Sequence, residues 1–259
     1  MQIDLFKKEH LIPLVLPDRI DYRNVSCNDL IKEVSTFEDK PRLVYADPPW
    51  GYNQSPGSSG SPNAHYKTLK DSEIADTLDR AYDAAAKDAR LLIWCTWPKL
   101  YEFINAFNGT RWRYVSGGSW HKVDHNGIGY HWLGSSEPVL LYKKGAPPCR
   151  YDTFNNAFQS QPEKHSVKPV EFLEGMLTRW LYPEHKVLDL YAGLGSMALA
   201  CYRRHRGYIG AELDPQRYDH GMNWLHARGC ARQSENHAIN DHDEKDEIDR
   251  ARNIESIPW

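Results

Sequence analysis

Four consecutive residues, Asp47, Pro48, Pro49 and Trp50, place a carboxylate, two backbone positions without an N–H and a flat ring directly after the apolar run RLVYA (42–46). Proline cannot donate to a sheet ladder, so a strand must end here. At a strand end this set could handle the exocyclic amine of an aromatic base. Such a nitrogen is a poor nucleophile, because its lone pair is delocalised into the ring. Ionised Asp47 can accept one of its N–H groups and the carbonyl of Pro48 the other. Both bonds strengthen as the nitrogen becomes tetrahedral and positive, so the transition state gains more than the ground state. The prolines leave no competing donor, and Trp50 offers a face on which an extracted base can stack, worth ~1–3 kcal/mol. A carboxyl near its ordinary pKa of ~3.9 suffices, since the alkylated ammonium product is itself acidic.

A second constellation lies downstream in VLDLYAGLGS (187–196), followed by a helical stretch and then by YIGAELD (208–214). Gly193 and Gly195, with Ser196 closing the loop, let the backbone turn tightly and come close to a ligand at a strand's carboxyl edge. Glu212 stands about 20 residues further on, at the end of the next strand, where an acidic side chain can accept both hydroxyls of a ribose. The third glycine of a dinucleotide fingerprint is absent, because position 198 is alanine. A dinucleotide needs close helix approach around a pyrophosphate, whereas S-adenosylmethionine has no phosphate. Its positive sulfonium and zwitterionic methionine end suit Asp189 and backbone groups instead.

The elements that must position these residues alternate. Apolar runs at 42–46, 89–95, 138–144, 186–192 and 207–213 read as strands. NDLIKEV (28–34), the stretch from Asp71 through Ala85, PKLYEFINAF (98–107), KPVEFLEGMLTRWL (168–181) and MALACYRRH (197–205) read as helices. Residues 1–20 read as an arm, 51–65 as a mobile loop rich in Gly, Ser, Pro and Asn, and WRYVSGGSWHK as the lead into another flexible stretch. Alternating strands and helices imply an α/β fold with a mostly parallel twisted sheet and helices on both faces. The expected organisation is one domain over residues 1–230, with a catalytic half at about 40–145 and a donor-binding half at about 165–215. Residues 231–259 form an acidic tail, charged enough for a disordered segment or a solvated helix.

Composition narrows the function classes. The chain has 259 residues, 41% of them apolar, and no apolar stretch near the ~20 residues that span a bilayer. Its N-terminus lacks an apolar signal core, so the expected location is the cytoplasm of a bacterial or phage-infected cell. Five scattered cysteines, with no C-x-x-C pair, fit reduced thiols. His121, His125 and His131 have no carboxylate or cysteine at ligand spacing, so no metal is expected. The tail holds 4 Lys/Arg and 8 Asp/Glu, which leaves 28 positive against 27 negative residues upstream. A near-neutral body is compatible with a nucleic-acid enzyme, because a local basic lining is sufficient for base flipping.

Taken together, these residues resemble the amino-methyltransferases that act on exocyclic amines of nucleic-acid bases. DPPW is the form typical of the adenine-N6 family, which includes the catalytic subunit of the eukaryotic mRNA methylase and many bacterial and phage enzymes. The likeness covers roughly residues 28–215, with DPPW, HYKTL (65–69), LLIWCTWPKL, SWHK, SEPVLLYKKG and HSVKP (165–169) in the family's order. The donor loop follows the catalytic motif, the permuted order of the beta group, so the implied fold is Rossmann-like and the implied donor S-adenosylmethionine. The resemblance also implies that Lys168 contacts the donor's methionine end with His165 close by. It further implies that Asp29 and Leu30 bracket the donor's adenine, Asp29 accepting the amine and Leu30 covering a face. The G-x-G loop is closer to bacterial and phage DNA methylases than to the mRNA subunits. Tyr52, Asn53, His65, Tyr66 and Lys122, with His121 and His125, are expected to grip the target strand. The expectation is therefore adenine-N6 methylation of DNA by a monomer or homodimer that needs no membrane. The same reaction on RNA, and an inactive nucleic-acid-binding partner subunit, remain the alternatives.

Overall fold

The computed structural model describes residues 15–52, 68–124, 131–150, 155–163 and 167–230. The acidic tail and the loop around 53–67 fall outside them, as do Asn53, His65, Tyr66, His125 and His165. In chain order the elements are β1 (Ile20–Arg23), α1 (Cys27–Val34), β2 (Leu43–Ala46), α2 (Asp71–Ala84), β3 (Ala89–Trp94), α3 (Trp97–Phe107), β4 (Arg113–Lys122), β5 (Ser136–Lys144), β6 (Ala157–Ser160), α4 (Val170–Trp180), β7 (Lys186–Asp189), α5 (Ser196–Arg203), β8 (Gly207–Ala211) and α6 (Pro215–His226).

The eight strands form one sheet in the order β1-β8-β7-β2-β3-β5-β4-β6. The five strands from β1 to β3 run parallel, and β5 runs antiparallel to both β3 and β4. Every side chain of β2 and β3 is buried, as expected for central strands covered on both faces. Because successive strand residues face opposite ways, the core divides in two. Leu43, Tyr45, Leu92 and Trp94 pack with α4, α5 and α6, while Val44, Ala46, Leu91 and Ile93 pack with α1, α2 and α3. Helices thus cover both faces. No helix among the described residues is long and apolar enough to cross a membrane.

Four elements differ from the sequence expectation. Residues 20–23, beginning at the last residue of the expected arm, are an edge strand, and 157–160 form the opposite edge. At four residues each, both are too short to give a periodic signal. Residues 113–122 form a ten-residue strand in spite of Gly117 and Gly118. There, glycine serves close approach, since a Cβ at 118 would lie 2.5 Å from the Asn156 carbonyl. Helix α6 was not foreseen from its mixed composition, although Asp214 caps it, accepting from the N–H groups of Gln216 and Arg217, and Pro215 opens it.

Candidate active site

Strands β2 and β7 are neighbours, yet the chain leaves them in opposite directions across the sheet. The carboxyl ends of strands flanking such a reversal enclose a crevice. A cavity of 1190 Å³ occupies it, lined by Asp47–Trp50, Tyr52, Thr96, Glu137, Lys168, Leu190–Gly193, Ser196 and Glu212–Arg217. The amine-handling motif and the glycine loop therefore share one wall, although more than a hundred residues of sequence separate them.

The DPPW segment is a pinned turn. Trp50 N–H donates to Pro48 O at 2.9 Å, and Leu69 N–H donates to Pro49 O at 3.0 Å. Pro48 O thus already accepts one backbone bond, which leaves its second lone pair for a ligand. The Trp50 indole is a buried wall rather than an open platform. It is 5% exposed, packs edge-on against Phe103 at 5.1 Å, and its Nε1 has no hydrogen-bond partner among the described residues. Tyr52 also lines the cavity, its hydroxyl donating to Thr96 Oγ1 at 2.7 Å.

Asp47 is 27% exposed on its side chain, and Lys168 Nζ lies 3.0 Å from its Oδ2. The same Nζ lies 3.0 Å from Glu137 Oε2, and Lys122 pairs with the other oxygen, Oε1. Four charges of alternating sign thus join β2 to β4 and β5. Burial pushes the Asp47 carboxyl above its ordinary pKa, against the opposing pull of Lys168. It therefore does not keep the ordinary value expected for it. Lys168 is nearly buried and sits 5.2 Å above the Trp94 ring. Burial alone would lower its pKa, but Asp47 and Glu137 raise it on balance. Lys122 is not open to grip a strand, since Glu137 holds it and its Nζ lies 5.1 Å over Trp120. Glu137 went unremarked in the sequence. Its signal was a lone acid heading the apolar strand PVLLYKK.

The glycine loop is held from below. Gly193 has φ +56, and Gly195, the N-cap of α5, has φ +85, both left-handed values that disfavour other residues. The Tyr22 hydroxyl donates to Gly193 O at 2.6 Å. Glu212 Oε2 accepts from Gly193 N–H and its Oε1 from Asp214 N–H, each at 2.9 Å. A Cβ at Gly193 would meet nothing within 4 Å, so that backbone faces open space on the cavity wall. Such a cradle, with a carboxylate fixed beside it, fits a ribose-bearing donor.

Other expected site residues stand elsewhere. Asp189 is 1% exposed and off the wall; it accepts from Tyr208 Oη at 3.0 Å and Tyr191 N–H at 3.2 Å. Burial pushes its pKa up to about 8, so it braces the loop rather than facing a donor. Gly195 also lies off the wall, against Leu225. Ser26 caps α1 and also donates to Asp29 Oδ2 at 2.6 Å, while Leu30 is buried in the core. Ser26, Cys27 and Asn28 line the cavity instead.

Fold and site together define a Rossmann-like α/β sheet in which the DPPW turn precedes the glycine loop along the chain and both line one cavity. Residues 152–223 match the family model N6_N4_Mtase, described as DNA methylase. The chain is 28% identical over 173 residues to the type II methyltransferase M.MunI of a Mycoplasma species, covering 59% of this chain and 72% of that one. It is 25% identical over 207 residues to the putative methylase YubD of Escherichia coli K12, covering 77% and 88%. These matches make the chain similar to DNA methylases of the N6/N4 type. Among solved structures, the M1.HpyAVI complex with S-adenosylmethionine superposes with TM-score 0.62 at 15% identity, over 79% of this chain and 98% of that one. TTHA0409, a putative DNA modification methylase from Thermus thermophilus in complex with the same donor, gives 0.60 at 16% identity, over 80% and 93%. The cytosine-N4-specific PvuII DNA methyltransferase gives 0.61 at 12% identity, over 92% and 96%.

Proposed function

We propose that this chain is an S-adenosylmethionine-dependent DNA methyltransferase acting on the N6 amine of adenine. The observation that carries the reading is the placement of Asp47, Pro48 and Trp50 in one cavity with Gly193 and Glu212. Gly193 and Glu212 hold the donor's ribose end, the carboxylate keeping a second lone pair on each oxygen after its two backbone bonds. The bound donor supplies a methyl group on positive sulfur. Asp47 and the Pro48 carbonyl accept the two N–H bonds of a flipped base, and their pull grows as positive charge develops on nitrogen. Trp50 closes the pocket on one side. No covalent enzyme intermediate is needed.

The experiment incubates purified protein and methyl-labelled donor with single-stranded DNA, duplex DNA and RNA, followed by digestion to nucleosides. Label in N6-methyladenine from DNA, abolished by Asp47→Ala, is the expected result. Label in N4-methylcytosine would overturn the base, and label confined to RNA would overturn the substrate. No label anywhere would overturn the reading as a whole.

A further inference from the structure

We propose that Glu137 and Lys122 are positioning residues for Asp47, acting through Lys168, and that the four side chains work as one neutral charge relay. The inference rests on the function proposed above. The geometry is particular to the antiparallel strand. Because β5 runs opposite to β3, its first residues lie level with the last residues of β3: Trp94 pairs with Val139, and Cys95 N–H donates to Pro138 O at 2.9 Å. Glu137 is thereby delivered to the cavity, where a parallel strand would bring its final residues instead. On the next strand Trp120 pairs with Glu137, and Lys122 stands two residues further along.

The arithmetic of charge explains why four groups are present. Lys168 alone beside Asp47 would be held at one point, free to swing on a flexible stem. Glu137, at 3.0 Å, holds the ammonium from a second side, and the Trp94 face lies 5.2 Å away. Glu137 by itself would divert part of the Lys168 charge from Asp47 and repel that carboxylate. Lys122, paired to the far oxygen of Glu137, offsets this. The result is a carboxylate whose ionised form Lys168 favours against the opposing effect of burial, with Oδ2 committed to Lys168. Oδ1 has no partner among the described residues, which leaves it to accept the amine N–H. Other groups facing Asp47 are Arg217 across the cavity and the buried Asp189, Tyr45 and Cys95. Arg217 assists Lys168 in favouring the ionised form.

The relay makes sign-specific demands that a merely structural ion pair does not. Glu137→Gln removes a like charge from near Asp47, so the acid limb of the kcat profile stays or moves to lower pH. Yet kcat on the plateau falls about ten- to a hundredfold, as for a misplaced catalytic group, with donor KM nearly unchanged. Lys122→Met leaves Glu137 uncompensated, and the acid limb moves to higher pH. The double variant Glu137→Gln, Lys122→Met is neutral again and recovers part of the kcat lost in Glu137→Gln, a non-additivity expected only of coupled charges. The test measures these pH profiles beside a titration of Asp47 by 13C NMR of carboxyl-labelled protein. In the titration, the Asp47 midpoint should rise in Lys122→Met and not in Glu137→Gln. Equal plateau kcat in Glu137→Gln and wild type, strictly multiplicative losses in the double variant, or an Asp47 midpoint that does not rise in Lys122→Met would each overturn the relay. A wild-type protein without methylation would instead sink the proposed function, and the titration would still decide the relay.

Discussion

Asp189→Asn tests whether the donor loop rests on a carboxyl held in its neutral form. The side chain is 1% exposed, and burial raises its pKa from the ordinary 3.8 to about 8. Between those values the folded state binds a proton that the unfolded state has released, so stability falls as pH rises. The slope is about 1.4 kcal/mol per pH unit, which becomes a loss of about 2 kcal/mol between pH 6 and pH 8 as the folded group begins to ionise. For a chain of this length that corresponds to roughly 4–8 °C in Tm. Asparagine keeps the shape and one acceptor for Tyr208 or Tyr191 and cannot ionise. The variant should therefore match wild type near pH 6 and exceed it near pH 8 by that margin, measured by scanning calorimetry in matched buffers. Asp47 and Glu212 are also shifted upward and interact with Asp189, so the difference between the two curves reports Asp189 together with its coupling to them. Parallel Tm curves across that window would refute the reasoning.

Three further outcomes follow from the geometry. Gly221→Ala would set a Cβ 2.5 Å from the Tyr22 hydroxyl and 3.0 Å from Gly193 O, displacing the bond that steadies the loop. It should cost about 1–3 kcal/mol in chemical denaturation and weaken donor binding in calorimetry. Glu212→Gln turns one carboxylate oxygen into a donor facing a backbone N–H, and donor affinity should fall about tenfold or more, with a smaller change in kcat at saturating donor. Trp97→Ala removes an indole that is 51% exposed and fixed to Ser136 Oγ at 2.9 Å, between the cavity residues Thr96 and Glu137. Stability should change by less than about 0.5 kcal/mol, while KM for DNA rises about fivefold or more, the lower end of one stacking contact.

The local chemistry of this protein was legible in its sequence because it is written in residues with few options. Two prolines must end a strand, glycines at 193 and 195 must sit where φ is positive, and continuous apolar runs at 43–46 and 89–94 must be central strands. The motif order and the crevice between strand ends follow from those elements. What the sequence left open were contacts that depend on register and strand direction. Asp29 and Leu30 are not on the cavity wall: Asp29 is engaged by the cap residue Ser26 and Leu30 is in the core, while the first turn of α1 lines the cavity with Ser26, Cys27 and Asn28. Asp189 stands at the end of β7, where alternation sends its carboxyl beneath the loop toward Tyr208. Glu137 meets both Lys168 and Lys122 only through an antiparallel pairing between a strand and a segment that reads in sequence as the lead into a flexible stretch. Side-chain identity determined what chemistry was available. Strand direction, which no local pattern encodes, decided which charges surround the carboxylate that carries it.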